Sequence, residues 1–411
     1  MVPEPLSYQR LKDEIQSLKT AAIRRISTLK PAGGEHDKVF PPTYQDGPYA
    51  VEHRLVQQPD GSFQTVRTVL LDSVQSQANR MELALLRAWR EGQLPLPMLI
   101  VDFSQSAESW VKEIGQVTVL EAPHRIADAI FRDSLYQGRK FRASIGACLD
   151  RVRPTQATEL FELCPTSLIF GFWDSTGPKG GLGVKFPRLI VSEIVGFNAV
   201  DGVRPAGRID PLQIENIENI GAPMYRTPEG EWTFDETKAA KGKQGNPIKV
   251  KPSEINHGNI PPALRDDQGR LHHGGVTISR AVQTTVFSLA GLRRLRFPVN
   301  GSNDEERDLV ARTALAALGL AAICLLDQDG YDLRSRCLLV PESSPFEFVR
   351  PGETEPFTLT AEQAIALVRE AADRAEQHGL KWRREPVILT PSPELEKLIV
   401  ESRKKTFTVS E

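Results

Sequence analysis

Three aspartates have the residue type and placement for metal-dependent chemistry. Asp72, Asp102 and Asp174 each follow an apolar stretch that is typical of a strand. Carboxylates at converging strand ends could hold a divalent metal for phosphoryl chemistry. Strand-end aspartates are also common helix caps and turn formers, and Asp72 directly precedes a helical pattern. The pattern favours these structural roles, so the sequence predicts no catalytic residue, no metal site and no cofactor.

A glycine-rich segment, 173–188, is a second place where chemistry could occur. It matches neither the phosphate-binding P-loop nor the dinucleotide fingerprint, because a proline and a strand pattern follow it. Lys179, Lys185 and Arg188 could contact phosphates while the ring of Trp173 stacks on a base. A flexible hairpin tip explains the glycines equally well. Both interpretations stay open on this feature alone.

The stretch 69–91 predicts a buried strand followed by a helix. One apolar stripe runs along the helix, Asp72 or Ser73 can cap it, and Gly92 ends it. Its first two turns carry uncharged hydrogen-bonding side chains and one arginine: Ser73, Gln75, Ser76, Gln77, Asn79 and Arg80. Such groups above free backbone N–H donors suit a phosphate-bearing ligand. A well-capped core helix with a polar outer face is the alternative.

Composition and net charge exclude some classes of function for this protein. The 411 residues carry a formal net charge of −2, which excludes histone-like basicity but not nucleic-acid binding by local clusters. Basic residues cluster at 139–153, 238–251 and 293–296. Four widely separated cysteines indicate free buried thiols, and neither the histidines nor any nucleophile pattern predicts a catalytic site.

The predicted elements alternate in a way that indicates an α+β fold. An apolar run at 313–326, too short to span a bilayer, predicts a core helix, and with the polar N-terminus it favours a soluble cytoplasmic protein. Helices are predicted at 6–29, 123–135, 157–163, 304–326, 360–377 and 393–404. Strands are predicted at 49–56, 63–71, 94–103, 117–120, 166–175, 189–197 and 335–340, with a bent strand or strand pair at 274–298. An insertion is predicted at 201–275, with a small hairpin near Trp232 and Phe234.

Four segments together resemble one protein family. They are LKPAGGEHDKVFPPTY (29–44), LLDSVQSQANRMELAL (70–85), FGFWDSTGPKGGLGVKFPR (170–188) and SLAGLRRLRFP (288–298). In this order they resemble the backbone subunit of type I-G (formerly type I-U) CRISPR interference complexes, within the RAMP superfamily. The resemblance implies a modified RRM-like, ferredoxin-like core with finger and thumb insertions. Its parts would be 1–200 (N-terminal core with the glycine-rich loop), 201–275 (insertion) and 276–411 (C-terminal core and helices).

The resemblance also implies a function. Such a subunit is non-catalytic, polymerises along a crRNA in a Cascade-type complex and presents the guide for pairing with target DNA in antiviral defence. Its partners would be crRNA, target DNA through the guide, further copies of itself and other effector subunits, with no membrane. The alternative is a metal-dependent RNA endonuclease of the same superfamily. The residues expected to contact RNA are Lys38, Ser73, Gln75, Ser76, Asn79, Arg80, Trp173, Lys179, Lys185, Arg188, Arg293 and Arg294.

Overall fold

The computed structural model describes residues 4–175, 177, 183–215, 222–242, 244–266, 268–342 and 344–408. Its α-helices are α1 Tyr8–Gln16, α2 Val74–Arg90, α3 Ser109–Lys112, α4 Ala129–Arg132, α5 Thr158–Leu163, α6 Pro165–Phe170, α7 Leu289–Leu292, α8 Glu305–Asp329, α9 Ala361–Gln377 and α10 Pro393–Thr408. Its strands are β1 Ala22–Pro31, β2 Val51–Gln57, β3 Phe63–Asp72, β4 Leu99–Asp102, β5 Gln116–Thr118, β6 Ser134–Tyr136, β7 Arg139–Lys140, β8 Phe172–Trp173, β9 Lys185–Phe186, β10 Ile190–Phe197, β11 Val200–Val203, β12 Ala206–Arg208, β13 Met224–Arg226, β14 Trp232–Thr233, β15 Lys249–Val250, β16 Ile260–Ala263, β17 His273–Thr277, β18 Arg280–Ser288, β19 Tyr331–Asp332, β20 Leu338–Pro341, β21 Phe346–Arg350, β22 Glu353–Phe357 and β23 Val387–Pro391. The fold is α+β, as the sequence predicts.

Tertiary contacts divide the chain into two compact units. The larger unit comprises the residues up to Ser106 together with Lys112–Val200 and Val276–Ser392. The smaller unit comprises Ala107–Val111, Asp201–Gly275 and the residues from Pro393 onward. It contains the antiparallel pair β12–β16 and the three-stranded sheet β14-β13-β15. The hairpin predicted near Trp232 and Phe234 is therefore present, as β13 and β14.

A nine-stranded antiparallel sheet forms the centre of the larger unit. Its order is β19-β20-β1-β18-β10-β3-β2, with β21 also paired to β1 and β22 to β21. Ile23, Arg25, Ser27 and Leu29 of β1 are buried, whereas the residues between them are half-buried or exposed. This two-residue alternation is the pattern of a strand with one face covered. The predicted helix at 6–29 is therefore wrong after Gln16.

The reason for this error is a stretch that satisfies two periodicities at once. The helical stripe over 6–29 needs Leu18 and Ile26 inside, but Leu18 is 88% and Ile26 47% exposed. Ile23, Ile26 and Thr28 are β-branched and favour a strand, and Ser17 has extended backbone at the end of α1. Pairing of β1 with β18 along eight residues then decides the conformation.

Helix α8 fills the core of the larger unit. The helix packs against α1, α2, α6 and α9. By length and composition it could cross a membrane, yet 94% of its most apolar window is buried inside the fold. Its predicted role as a core helix is confirmed. Gly319 permits close approach to the sheet, because a Cβ there would lie 2.7 Å from the ring of Phe287. All four cysteines are buried and free, as predicted.

The hairpin β2–β3 and helix α2 follow the prediction closely. The two strands pair from Val51–Val69 to Gln57–Phe63, on either side of the predicted turn. Ser73 is the N-cap of α2 and accepts a hydrogen bond from the backbone N–H of Ser76. The inward positions along the helix are buried, as the apolar stripe requires.

Two other predicted elements are wrong. The predicted strand at 166–175 is the helix α6 up to Phe170, followed by the short strand β8. Pro165 stands in the first turn of α6, where the missing N–H costs nothing. The predicted helix at 123–135 breaks into a 3₁₀ turn and α4. Strands β21, β22 and β23 were not predicted, and β23 pairs in parallel with β4.

Candidate nucleic-acid interface

The N-terminal end of α2 is where the predicted site residues are most concentrated. Ser73 and Ser76 are occupied with capping the helix. The backbone N–H groups of Val74 and Gln75 have no acceptor among the described residues. The side chains of Gln75 and Asn79 are exposed, with no polar partner in the described part of the chain. This helix end therefore presents free donors and a positive dipole end.

Asp72 lies buried directly beneath this end and organises two arginines. Its side chain is 1% exposed and accepts a hydrogen bond from Gln77 Nε2 at 2.6 Å. Arg80 Nε donates to the same carboxylate at 3.0 Å, and Arg334 Nη2 donates to it at 3.4 Å. One buried carboxylate thus orients two guanidinium groups.

The arginines connect α2 to two distant parts of the chain. Arg80 also donates to the carbonyl of Leu333 at 2.7 Å, and Arg334 donates to the carbonyl of Phe40. Arg336 places its guanidinium 4.6 Å from the centroid of the Phe40 ring. The loop of segment 29–44 and the turn after β19 therefore meet the start of α2. The sequence analysis did not predict Arg334 and Arg336 as site residues. The signal that could have identified them is their spacing in YDLRSR, directly after the buried Tyr331.

Arg188, at the end of segment 170–188, also reaches the start of α2. Its Nη1 donates to the carbonyl of Val74, in the first turn of α2, at 3.1 Å. Its Nε and Nη2 have no partner among the described residues. Burial and the nearby guanidinium of Arg125 lower the pKa of Arg188, although an arginine remains protonated. Arg188 therefore brings an incompletely paired positive charge to the free N–H groups of the helix.

A buried ion pair fixes the position of this segment. Arg125 donates from Nε and Nη2 to the two carboxylate oxygens of Glu82, both at 2.7 Å, and from Nη1 to the carbonyl of Gly171. Burial raises the pKa of Glu82 to about 7, with the guanidinium of Arg125 opposing the shift. Gly171 has φ +74°, and a Cβ there would lie 2.7 Å from the carbonyl oxygen of Phe186. Only glycine fits this turn.

Trp173 and Lys185 form the stem of the glycine-rich segment. They face each other across β8 and β9, with Lys185 Nζ 5.5 Å from the centroid of the Trp173 ring. Trp173 is 48% exposed and Lys185 is exposed, so a stacking ring and a cation lie side by side. The predicted site residue Lys179 lies outside the described residues.

The segment 288–298 carries Arg293 and Arg294, which lie away from the start of α2. Arg293 donates to the backbone carbonyls of Glu14, Ile15, Ser17 and Thr20, so it caps the C-terminal end of α1. These hydrogen bonds engage its guanidinium inside the fold. Arg294 is exposed, with no side-chain partner in the part of the chain that the structure describes. Nothing joins either arginine directly to the start of α2.

Lys38 lies on the loop of segment 29–44. Its backbone N–H donates to the carboxylate of Asp37 at 2.8 Å, and the next residue, Val39, pairs with Val276. Lys38 is half-buried. The loop that carries it is the one whose Phe40 contacts Arg334 and Arg336, so it borders the same surface.

A buried polar chain continues beneath the surface into the sheet. Gln77 Oε1 accepts hydrogen bonds from Gln283 Nε2 at 2.8 Å and from the hydroxyl of Ser192 at 3.1 Å. The hydroxyl of Tyr331 lies 3.0 Å from Gln283 Oε1 and also contacts Asp327, and it donates to one of them. Such a satisfied network locks the rotamers of its members. The orientation of Asp72 is therefore set by the sheet.

The three strand-end aspartates do not come together. Asp72 ends a strand of the nine-stranded sheet, and Asp102 ends β4 in the sheet β5-β4-β23-β6-β7. Asp174 follows β8 and accepts a hydrogen bond from Arg142 at 2.8 Å. Asp102 accepts hydrogen bonds from Ser104 and Gln116. Among the described residues, no group of three or more histidine, cysteine or acidic side chains is arranged to hold a metal ion.

We call the residues at this place the α2 N-terminal surface; they are Gln75, Asn79, Arg80, Arg188, Arg334 and Arg336. Four of these are arginines, and Asp72 is the buried carboxylate that two of them share. Guanidinium groups beside free N–H donors are chemically suited to phosphate groups. The fold and this surface together define an α+β protein with a cationic face at the start of α2.

Comparison with known proteins points to one class. Residues 23–201 match the family described as CRISPR-associated protein GSU0053. The matched range contains β1, α2 and Arg188, and thus most of the α2 N-terminal surface. The match covers less than half of the chain, and over that range the chain is similar to a CRISPR-associated family. No curated protein matches the chain.

Proposed function

We propose that this protein is the guide-RNA-binding backbone subunit of a CRISPR interference complex, without catalytic activity of its own. The observation that carries the proposal is the meeting of three sequence segments, 29–44, 70–85 and 170–188, at the α2 N-terminal surface. Each contributes a guanidinium or its acceptor: Arg80 from one, Arg188 from another, and Phe40 as partner of Arg334 and Arg336. The phosphates of the guide bind there.

The assignment to a subtype and a superfamily follows from the resemblance of the four sequence segments to the type I-G backbone subunit. The subunit is of the type I-G (formerly I-U) kind within the RAMP superfamily, and its sheet with α2 and α8 is an expanded RRM-like core. Copies polymerise along the crRNA in the cytoplasm, alongside other effector subunits. The guide then pairs with target DNA. The match to a CRISPR-associated family supports a scaffold role, and so does the pairing of the Asp72 carboxylate with Arg80 and Arg334.

The first test is recovery of the natural ligand. The protein is co-expressed with a CRISPR array, purified, and its nucleic acid extracted and sequenced. Guide-length RNA in a multi-copy assembly is the expected result. A protein free of nucleic acid, both alone and after addition of the other effector subunits, would exclude the backbone role.

The second test measures which charges contact phosphate. Affinity for single-stranded RNA falls with salt at a log–log slope of about −0.7 for each phosphate neutralised. Arg188→Gln is expected to flatten this slope by up to about 0.7, because Arg188 keeps unused donors at the free N–H groups of α2.

The matched control is Arg90→Gln. Arg90 lies at the opposite end of the same helix and is 52% exposed, and its side-chain partner among the described residues is Glu121, at 3.4 Å. Its replacement removes the same charge and should leave the slope unchanged, because no phosphate is expected at that end of the helix. Equal slopes for the two variants would remove Arg188 from the RNA-binding face.

A further inference from the structure

The smaller unit exposes two aromatic side chains that contact each other. Trp232 is 42% and Phe234 51% exposed, and their ring centroids lie 5.5 Å apart at an interplanar angle of 89°. Trp232 lies in β14 and Phe234 follows that strand in a bend, and the contact between their rings places the two side chains side by side. Two large rings left partly in water at one place have apolar area available for a ligand.

The framework beneath this pair is ordered. β14 pairs with β13, and β13 pairs with β15, so the aromatics stand on a three-stranded sheet. Met224, Tyr225 and Val250 of this sheet are buried, and the hydroxyl of Tyr225 donates to Glu236 at 3.0 Å. A platform built on paired strands is preorganised, and binding to it costs little conformational entropy.

Cations lie on and beside the sheet that carries Trp232, with Arg226 on the same face as Trp232 and Lys249, paired with Tyr225, on the opposite face. Arg226 stands directly opposite Trp232 in the strand register, and its guanidinium has no partner among the described residues. Lys241 and Lys249 are exposed, and their ammonium groups have no partner in the described part of the chain. Between residues 237 and 253 the sequence has five lysines and no acidic residue.

We propose that Trp232 and Phe234 form a base-stacking platform for single-stranded nucleic acid. Arg226 and Lys241 contact the backbone phosphates of the same strand. The proposal rests on the proposed function for its ligand class and adds a second contact site, in the smaller unit. Rings with flanking cations are the combination by which proteins hold single strands without reading sequence.

A protein partner is the competing occupant of this patch, and the residue types argue against it. Within residues 222–242 and 244–259, Trp232 and Phe234 are the large hydrophobic side chains that are exposed. No exposed Leu, Ile or Val adjoins them there, whereas apolar docking surfaces usually mix aliphatic and aromatic groups and lose charge at their centre.

The test uses the full chain and a single-stranded RNA oligonucleotide that carries 2-aminopurine, whose fluorescence is quenched by stacking. The double substitution Trp232→Ala with Phe234→Ala should weaken binding roughly 5- to 100-fold and relieve the quenching. The double substitution to Leu keeps apolar area but removes the π faces, and it should weaken binding as much. Exchange of the two residues, Trp232→Phe with Phe234→Trp, should stay within about twofold of the unmodified chain because both π faces remain.

The matched control is Phe63→Ala, which truncates an aromatic side chain that is 66% exposed on β3 of the larger unit. Its affinity should equal that of the unmodified chain. If the Leu variant binds and quenches like the unmodified chain, stacking is absent and the patch is an apolar docking surface, which overturns the proposal. If the unmodified chain binds RNA and the Ala variant binds it equally, the platform is overturned while the α2 N-terminal surface keeps its role. If the unmodified chain binds no oligonucleotide, the proposed function itself fails.

Discussion

Replacement of Asp72 by Asn tests the network that holds the α2 N-terminal surface. The substitution keeps the size of the side chain and removes its charge, while Arg80 and Arg334 remain beside it. Both arginine side chains are about one-quarter exposed, so water compensates part of the loss. Breaking a fully buried ion pair costs about 3–5 kcal/mol, and hydrogen bonds to a charged group contribute about 1.5–3 kcal/mol. With that discount we expect a loss of about 2–3 kcal/mol in the free energy of unfolding.

The assay is thermal unfolding followed by circular dichroism. For domains of 150–250 residues, 1 kcal/mol corresponds to about 2–4 °C in Tm, and a larger domain lies at the low end of that range. Asp72→Asn should therefore lower the Tm by about 4–6 °C.

Asp102→Asn is the matched control for Asp72. Asp102 also ends a strand, but its partners are the backbone N–H of Ser104 and the amide of Gln116, without a guanidinium. We expect a loss under about 1 kcal/mol and a Tm change below about 2 °C. A change of 1 °C in Tm corresponds to about 0.5 kcal/mol. If the two variants lower the Tm equally, or if the Tm of Asp72→Asn stays within 1 °C of that of the unmodified chain, the network contributes no stability.

Three further predictions follow from particular contacts. Arg293→Gln should lower the Tm by roughly 2–4 °C, because the guanidinium of Arg293 caps α1. The salt slope of RNA binding should stay unchanged, and a flattened slope would contradict this role. Gly171→Ala should destabilise the larger unit by more than about 2 kcal/mol, since φ is positive and the Cβ would meet Phe186 and Arg188, and denaturant titration would measure the loss. Hydrogen bonds from two backbone N–H groups lower the pKa of Asp210, so its stabilisation is present above about pH 3.9 and is lost as pH falls through the lower folded pKa. Hydrogen exchange corrected for pH should show residues 201–275 opening in that acidic range, and Asp210→Asn should remove much of this dependence.

Local patterns predicted the elements on which the site is built. The cap at Ser73, the stripe of α2 and the turn between β2 and β3 depend on residues close in sequence, and each is present. Helix α8 followed from its apolar length. The start of α2 could therefore be recognised as a candidate phosphate site before any tertiary contact was known.

Two other predictions failed because the local pattern was compatible with two conformations. Residues 22–29 fit a helical stripe, but pairing with β18 makes them a strand. Residues 166–170 have the apolar, β-branched composition of a strand, yet Pro165 starts a buried helix there. In both places long-range packing outweighed local propensity.

The sequence by itself determined an α+β protein, with capped helices, a polar start to α2 and a glycine-rich segment at 173–188. Only the tertiary structure decided which cations share a surface. Arg334 and Asp72 are 262 positions apart, and Arg188 and Val74 are 114 apart, so no local pattern could pair them. Arg293, in an equally basic segment, caps α1 instead. The sequence does not show which way a charged side chain points. The fold decides whether that side chain meets a carbonyl, a carboxylate or solvent.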